Sequence, residues 1–320
     1  MKKLKFFGEV LGLSPFKERM RQAKIALFGE ADVPGSKFGL SSLSQMHPRV
    51  SPILWLGKYY RPQKAIISNL VNHTQTPIKN GWSVKKTQVR DFRGKRLTYD
   101  SHNGTDFAIP VGSTVCTAAA GEVVAIKSEF NRGGLKIFID HGKGLMTCYA
   151  HLARPLVDVG TVVQRGEAIA LSGYSGLDAL ILFPLGIPHI HFNVWLNGEP
   201  IDPFPYADKN SLWKNGALPI PVVAAEIGAE EAFPFEPSVY NEKEVAQMIA
   251  ICKTEGVRDQ LSAISTLKER AAQTIIQMNY YPTRFDERHN VYDKEYLRTP
   301  CLDMPFRETA FDGIVFLDEL

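Results

Sequence analysis

Leu135-Lys136-Ile137-Phe138-Ile139, followed across a turn by Gly144-Leu145-Met146-Thr147-Cys148-Tyr149-Ala150-His151, is the stretch that decides the fold of the central region. Both runs are short and apolar, and glycines mark the turn between them. Similar runs, such as Val123-Val124-Ala125-Ile126 and Ala168-Ile169-Ala170-Leu171, recur at roughly ten-residue spacing within residues 87–206. This pattern predicts a mostly antiparallel core, arranged as a β-sandwich or barrel-like sheet.

The regions on either side of this core differ from it in composition. Residues 1–86 mix prolines and serines with short apolar pieces, and we assign this N-terminal extension no domain type. Residues 207–240 are rich in proline and are predicted to form an extended linker. Residues 241–320 are predicted to be a helical C-terminal region, because Asn241 and Glu244 form a variant of the capping box and an apolar stripe at helical spacing follows. The expected class is therefore α+β.

The composition narrows the classes of function. A chain with 44% hydrophobic and 22% charged residues is typical of a globular protein, and a formal net charge of +3 is too small to indicate a nucleic-acid partner. No apolar run approaches the roughly 18 residues that a transmembrane helix needs. The N-terminus starts like a signal peptide, but Lys5 and Glu9 interrupt its apolar part, so we interpret it as a short amphipathic helix of the mature protein.

Two histidines on one predicted strand, in His189-Ile190-His191, carry the most chemical information. Side chains two residues apart share a strand face, so one imidazole could ligate a metal ion while the other transfers protons. Upstream, His102-Asn103-Gly104-Thr105-Asp106 adds an imidazole and a carboxylate. Catalytic zinc is commonly held by three protein ligands, which these two segments together can supply. Each motif alone is also explained by an ordinary strand or turn.

In their order along the chain, these segments resemble the M23 family of zinc metallopeptidases, the lysostaphin- and LytM-like endopeptidases that cut peptidoglycan peptides. Residues 102–112 are similar to the family's opening H-x-G-x-D-[apolar]-A-x-P-x-G segment, and residues 188–192 to its closing P-H-[apolar]-H-F segment. Between them, residues 140–145 with 149–152 resemble the H-G-x-G-L and Y-x-H-L pair, and residues 159–167 the V-G-x-x-V-x-x-G-[EQ] hairpin. The resemblance extends over about a third of the chain.

This resemblance implies a function for each motif residue. His102, Asp106 and His191 would be the ligands of one zinc ion, and His151 and His189 would be catalytic histidines beside the zinc-bound water. One of these two would take a proton and the other would stabilise the oxyanion, with the assignment left open. Tyr149 shares a predicted strand face with His151 and is expected either to line the cleft as a substrate-binding residue or to pack in the core.

The expected substrate is a peptidoglycan peptide or another peptide, and two features depart from the family pattern. Twelve mainly apolar residues, 177–188, precede the H-x-H motif, where the family has only a few. They are expected to pack against a terminal segment or to narrow the cleft. Family members acting on cell walls are usually exported, and the absence of a convincing signal here leaves the compartment open. The alternative function is a non-catalytic M23-like module that binds and activates a cell-wall hydrolase, although such modules typically lose metal ligands.

Overall fold

The computed structural model describes residues 3–74, 78, 81–223 and 235–320. Its main feature is a mixed β-sheet with helices on its surface. The strands are β1 (Lys64–Asn69), β2 (Thr105–Ala108), β3 (Thr114–Cys116), β4 (Gly121–Glu129), β5 (Gly134–Asp140), β6 (Leu145–Pro155), β7 (Val162–Val163), β8 (Ala168–Ser172), β9 (His189–Leu196), β10 (Glu199–Ile201), β11 (Pro221–Val222), β12 (Met304–Arg307) and β13 (Gly313–Phe316).

Among the residues that the structure describes, the sheet contains eleven of these strands, and β9 lies near its middle. Its main path is β13-β1-β2-β9-β6-β5-β4-β7, while β10 pairs with β9, β8 with β6 and β3 with β8. The pairing of β1 with β13 is parallel, and the other pairs of this sheet are antiparallel. The prediction of an α+β protein with a mostly antiparallel sheet is therefore confirmed.

Within the described part of the chain, six α-helices lie outside the sheet: α1 (Phe16–Phe28), α2 (Ser51–Trp55), α3 (Leu177–Ile181), α4 (Glu242–Ala250), α5 (Glu255–Ser262) and α6 (Leu267–Tyr280). A π-helical turn covers Phe6–Val10, and 3₁₀ turns cover Leu40–Gln45, Pro282–Arg284 and Leu317–Glu319. Asn241 caps α4, because its side chain accepts hydrogen bonds from the main-chain N–H groups of Lys243 and Glu244. Among the described residues, no helix is long and apolar enough to cross a bilayer.

Alternation along β9 separates two hydrophobic cores. Ile190, Phe192 and Val194 point into the larger core, on one face of the sheet. Trp195 is on the opposite face and packs into the second core, which includes residues of α4, α5 and α6. His189 and His191 share that second face by alternation. The C-terminal helices therefore cover one end of this face, and the histidines occupy the other.

Both regions that flank residues 87–206 contribute to the sheet. β1 belongs to the predicted N-terminal extension and pairs with β2 and with β13. In the region 241–320, for which helices were predicted, the α-helices end at Tyr280, and β12 and β13 follow. β11, in the predicted linker, pairs with β12, while residues 224–234 of that linker lie outside the described part of the chain.

The twelve residues 177–188 pack against the N-terminal region. The ring of Phe183 meets that of Trp55 edge to face, with centroids 4.9 Å apart. The indole N–H of Trp55 also donates a hydrogen bond to the carbonyl oxygen of Gly186, at 3.1 Å. This packing covers apolar surface of the segment and fixes the position of α3 beside the histidines of β9.

Candidate metal centre and cleft

Three potential metal ligands converge where β2 meets β9. The strand register pairs Asp106 directly with His191, and His102 lies shortly before β2. His102 Nε2 is 3.0 Å from Asp106 Oδ1 and 3.1 Å from His191 Nδ1. His191 Nδ1 is 2.8 Å from Asp106 Oδ1. Zinc bonds of about 2.0–2.1 Å in tetrahedral geometry place ligand atoms about 3.3 Å apart. Small outward shifts of these three atoms would therefore accommodate zinc.

Hydrogen bonds with Asn69, the last residue of β1, and with Leu70, which follows it, orient two of these ligands. The Nδ1–H of His102 donates to the carbonyl oxygen of Leu70 at 2.6 Å, which leaves the Nε2 lone pair directed at Asp106 and His191. Asn69 Nδ2 donates to Asp106 Oδ2 at 2.9 Å, which leaves Oδ1 for a metal ion. Partners of this kind fix the tautomer and orientation of metal ligands. Sequence reasoning missed both, since the segment around β1 carried no recognisable pattern.

Gly104, between His102 and Asp106, allows the His191 ring to approach. A Cβ atom at position 104 would lie 2.8 Å from two ring atoms of His191 and 2.8 Å from the carbonyl oxygen of Phe192. Carbon atoms do not approach this closely without displacement of the neighbour. The glycine is therefore needed for the packing of a candidate ligand.

The protonation states favoured at this cluster are those that metal ligands need. His102 is 1% and Asp106 2% exposed. Burial acts to raise the pKa of Asp106, but the neighbouring histidines His102, His189 and His191 outweigh it and hold that pKa well below its usual value. Burial lowers the pKa of His191 below its usual value. Together these shifts favour an ionised carboxylate and a neutral imidazole, the forms that bind metal ions.

His151 and His189 form a second pair of imidazoles next to the first cluster. Their ring centroids are 4.7 Å apart, and His189 Nε2 is 3.7 Å from Asp106 Oδ1. The Nδ1–H of His151 donates to the carbonyl oxygen of Ser175 at 2.8 Å, and that of His189 to the carbonyl oxygen of Ile187 at 2.7 Å. Burial, with contributions from His189 and His191, lowers the pKa of His151 well below its usual value. A neutral His151 has an Nε2 atom available to accept a proton.

A bulge in β6 turns His151 towards the cleft. Tyr149 lies opposite Ile137 and Leu152 lies opposite Leu135, so β6 has one more residue than β5 over this interval. His151 takes a φ of 60°, which is uncommon for a residue other than glycine. Tyr149 is on the core side, with an exposed fraction of 0%, and its hydroxyl accepts a hydrogen bond from Ala118 N at 2.8 Å. Tyr149 therefore packs in the core and does not line the cleft.

A cleft of about 130 Å³ opens beside His151 and His191. Its walls come from all parts of the chain, including Trp82 before the predicted β-domain, Asp178 on α3 and Tyr280 at the end of α6. The carboxylate of Asp178 is 37% exposed, and its Oδ2 atom is 3.6 Å from His151 Nε2. The structure therefore adds an acidic side chain to the predicted site, from the segment 177–188.

Arg132 supplies the positive charge of this cleft wall. Its guanidinium carbon lies 5.3 Å from the ring centroid of Trp82 and 5.8 Å from that of Tyr281. Arg132 NH1 donates to the carbonyl oxygen of Asn131 at 3.2 Å, while its buried Nε atom has no hydrogen-bond partner among the described residues. A guanidinium that lines a cleft beside aromatic rings is suited to binding a carboxylate.

The family of the central domain follows from comparison with known proteins. Residues 100–203 match the model of Peptidase family M23. Over these residues the chain is similar to M23 peptidases. The resemblance noted from the sequence is thus confirmed, and the matched residues include all five predicted positions, from His102 to His191.

Relatives of the M23 domain include bacterial peptidases. The chain is 34% identical over 131 residues to peptidoglycan DD-endopeptidase ShyA of Vibrio cholerae, which covers 39% of this chain and 28% of the relative. It is 33% identical over 102 residues to an uncharacterized metalloprotease of Haemophilus influenzae, covering 32% of this chain and 20% of the relative. The match thus spans less than a third of either relative. A crystal structure of a zinc-containing peptidase from Vibrio cholerae is 29% identical, with a TM-score of 0.30, over 44% of this chain and 39% of that one.

Proposed function

We propose that this chain is a zinc-dependent endopeptidase that hydrolyses peptide bonds in peptidoglycan, in cross-links or in stem peptides. The convergence of His102, Asp106 and His191 beside His151 and His189 is the observation that carries the proposal. The M23 domain and the named endopeptidase relative support hydrolysis as the reaction and peptidoglycan as the substrate class. The metalloprotease relative supports the requirement for a metal ion.

His102 Nε2, Asp106 Oδ1 and His191 Nδ1 would hold the zinc ion. When bound, zinc lowers the pKa of a coordinated water to about 7 and polarises a carbonyl group. The hydrogen bond of Asn69 with Asp106 and that of His102 with Leu70 keep the ligand atoms in place.

In this proposal, His151 transfers the proton and His189 stabilises the oxyanion. His151 Nε2 takes a proton from the attacking water, because its lowered pKa keeps the ring neutral beforehand. The same proton is then passed to the nitrogen of the leaving amine, which restores neutral His151. His189, when protonated at Nε2, donates a hydrogen bond to the oxyanion. The bonds of both Nδ1–H groups to main-chain carbonyls hold the two rings against rotation.

The test combines zinc analysis with hydrolysis of purified cross-linked muropeptides, followed by liquid chromatography and mass spectrometry. The wild-type protein should contain about one tightly bound zinc ion per chain. His191→Ala should lose both zinc and hydrolysis. His151→Ala should keep zinc while hydrolysis falls by about 10²–10⁴-fold, the usual contribution of a general base. His289→Ala is the control, because His289 lies outside the cluster, and it should keep both properties.

Two results would contradict the proposal. Full activity of His151→Ala would refute the role of that histidine. Stoichiometric zinc in a wild-type protein that cleaves no muropeptide would instead favour the non-catalytic binding module, since metal ligation would then serve structure or recognition.

A further inference from the structure

We infer that a second divalent cation binds between His151, Asp178 and His189. One ring nitrogen from each histidine and one carboxylate oxygen all lie within 4.8 Å of one another. His151 Nε2 is already 3.6 Å from Asp178 Oδ2. Tetrahedral zinc places ligand atoms about 3.3 Å apart, so modest side-chain shifts would close the site around an ion.

The tautomers of the two histidines favour ligation. The Nδ1–H of His151 is bonded to the carbonyl oxygen of Ser175, and that of His189 to the carbonyl oxygen of Ile187. Each neutral ring therefore presents its Nε2 lone pair as the remaining acceptor. A second ring nitrogen bonded to a main-chain carbonyl is the usual arrangement of a metal-ligating histidine. Two such nitrogens and a carboxylate make the same donor set as His102, Asp106 and His191.

Asp178 is held in position by the packing of the segment 177–188. It is the second residue of α3, and the neighbouring Ala179 is buried with Leu11 and Tyr174 in a small hydrophobic cluster. The α3 backbone is thereby fixed against the N-terminal region, while the Asp178 side chain remains 37% exposed at the cleft. The segment that departs from the family pattern thus supplies the third ligand.

The two sites are adjacent, so a cation in the second site would affect hydrolysis at the first. Asp106 Oδ1, in the first cluster, is 3.7 Å from His189 Nε2, in the second. Adjacent sites of this kind can be occupied together, since known two-metal sites hold their ions only about 3.5–4 Å apart. A cation bound to His151 and His189 would occupy the nitrogens that transfer protons. Excess zinc would then inhibit hydrolysis, a consequence that rests on the proposed function, whereas the binding itself does not.

The binding test is a zinc titration of metal-free full-length protein, by calorimetry and by metal analysis after equilibrium dialysis. The wild-type protein should bind two zinc ions, the second more weakly. Asp178→Asn should bind only the first, and retention of that first ion also shows that the variant is folded. Asp158→Asn makes the same change at an exposed turn and should still bind two. A single zinc ion in the wild-type protein, or a second ion retained by Asp178→Asn, would overturn the inference.

The activity test measures hydrolysis at rising zinc concentration. At a free zinc concentration ten times the second dissociation constant, wild-type activity should fall about tenfold by mass action. Asp178→Asn, compared with its own activity at one equivalent, should change by less than about twofold, because it lacks the second site. Equal inhibition of both proteins would overturn the inference. Binding of two zinc ions, of which only the second depends on Asp178, without any hydrolysis would support the inference and contradict the proposed function alone.

Discussion

The hydrogen bond from Asn69 Nδ2 to Asp106 Oδ2 is expected to control zinc affinity. It is 2.9 Å long and buried, and Asn69 is 6% exposed. Removing a hydrogen bond to a charged group costs about 1.5–3 kcal/mol. At about 1.4 kcal/mol for each factor of ten, Asn69→Ala should raise the zinc dissociation constant about tenfold to hundredfold. Loss of an outer partner of a metal ligand typically has an effect of this size.

Competition with a chromophoric chelator measures this dissociation constant directly. The matched control is Asn210→Ala, an exposed asparagine away from the cluster, which should bind zinc like the wild-type protein. Thermal unfolding in excess chelator would separate a loss of affinity from a loss of stability of the metal-free protein. A dissociation constant for Asn69→Ala within about twofold of the wild-type value would refute the reasoning, because the bond would then contribute almost nothing to the orientation of Asp106.

Two further predictions concern Arg132 and His141. Arg132→Ala should raise KM about tenfold to hundredfold for peptides with a free carboxylate near the scissile bond, with Arg132→Lys intermediate. Equal KM values for carboxylate and amidated peptides in the wild-type protein would contradict this. Burial lowers the pKa of His141 from 6.5 to about 4, so the folded protein binds a proton at this residue less readily than the unfolded chain does. The contribution of neutral His141 to the free energy of unfolding is therefore complete above pH 6.5 and is lost as the pH falls towards 4. In denaturant unfolding, the wild-type protein should lose about 3 kcal/mol of unfolding free energy from this cause, and His141→Gln should not. Identical pH profiles of the two proteins would contradict this prediction.

The convergence of the candidate ligands was predictable because it depends on side chains with recognisable spacing. His102 and Asp106 flank a glycine, and His189 and His191 alternate along one strand. The register of β2 with β9 then places Asp106 opposite His191. Antiparallel strands of this kind are specified by alternation, which the sequence displays.

The supporting residues could not be predicted for physical reasons. Asn69 lies on a strand whose apolar run is buried on both faces, so it shows no alternation. The carbonyl of Leu70 acts through the main chain, which leaves no signal in residue type. The sequence left open whether Tyr149 lines the cleft or packs in the core, because the extra residue of β6, which interrupts strand alternation between Tyr149 and His151, has no sequence signal. Asp178 lies beside His151 only because α3 packs against residues that are distant in sequence.

The parallel pairing of β1 with β13 has a consequence for the order of folding. Lys64 pairs with Gly313, which lies far from it along the chain, while the hairpin of β5 and β6 forms between near neighbours. Closing so large a loop costs more entropy and is slower than closing a hairpin. β1, which contains Asn69 and is followed by Leu70, is therefore expected to pair with β13 after the central hairpins have formed. High-affinity metal capture would then mark completion of the native topology, and its rate would report the last step of folding.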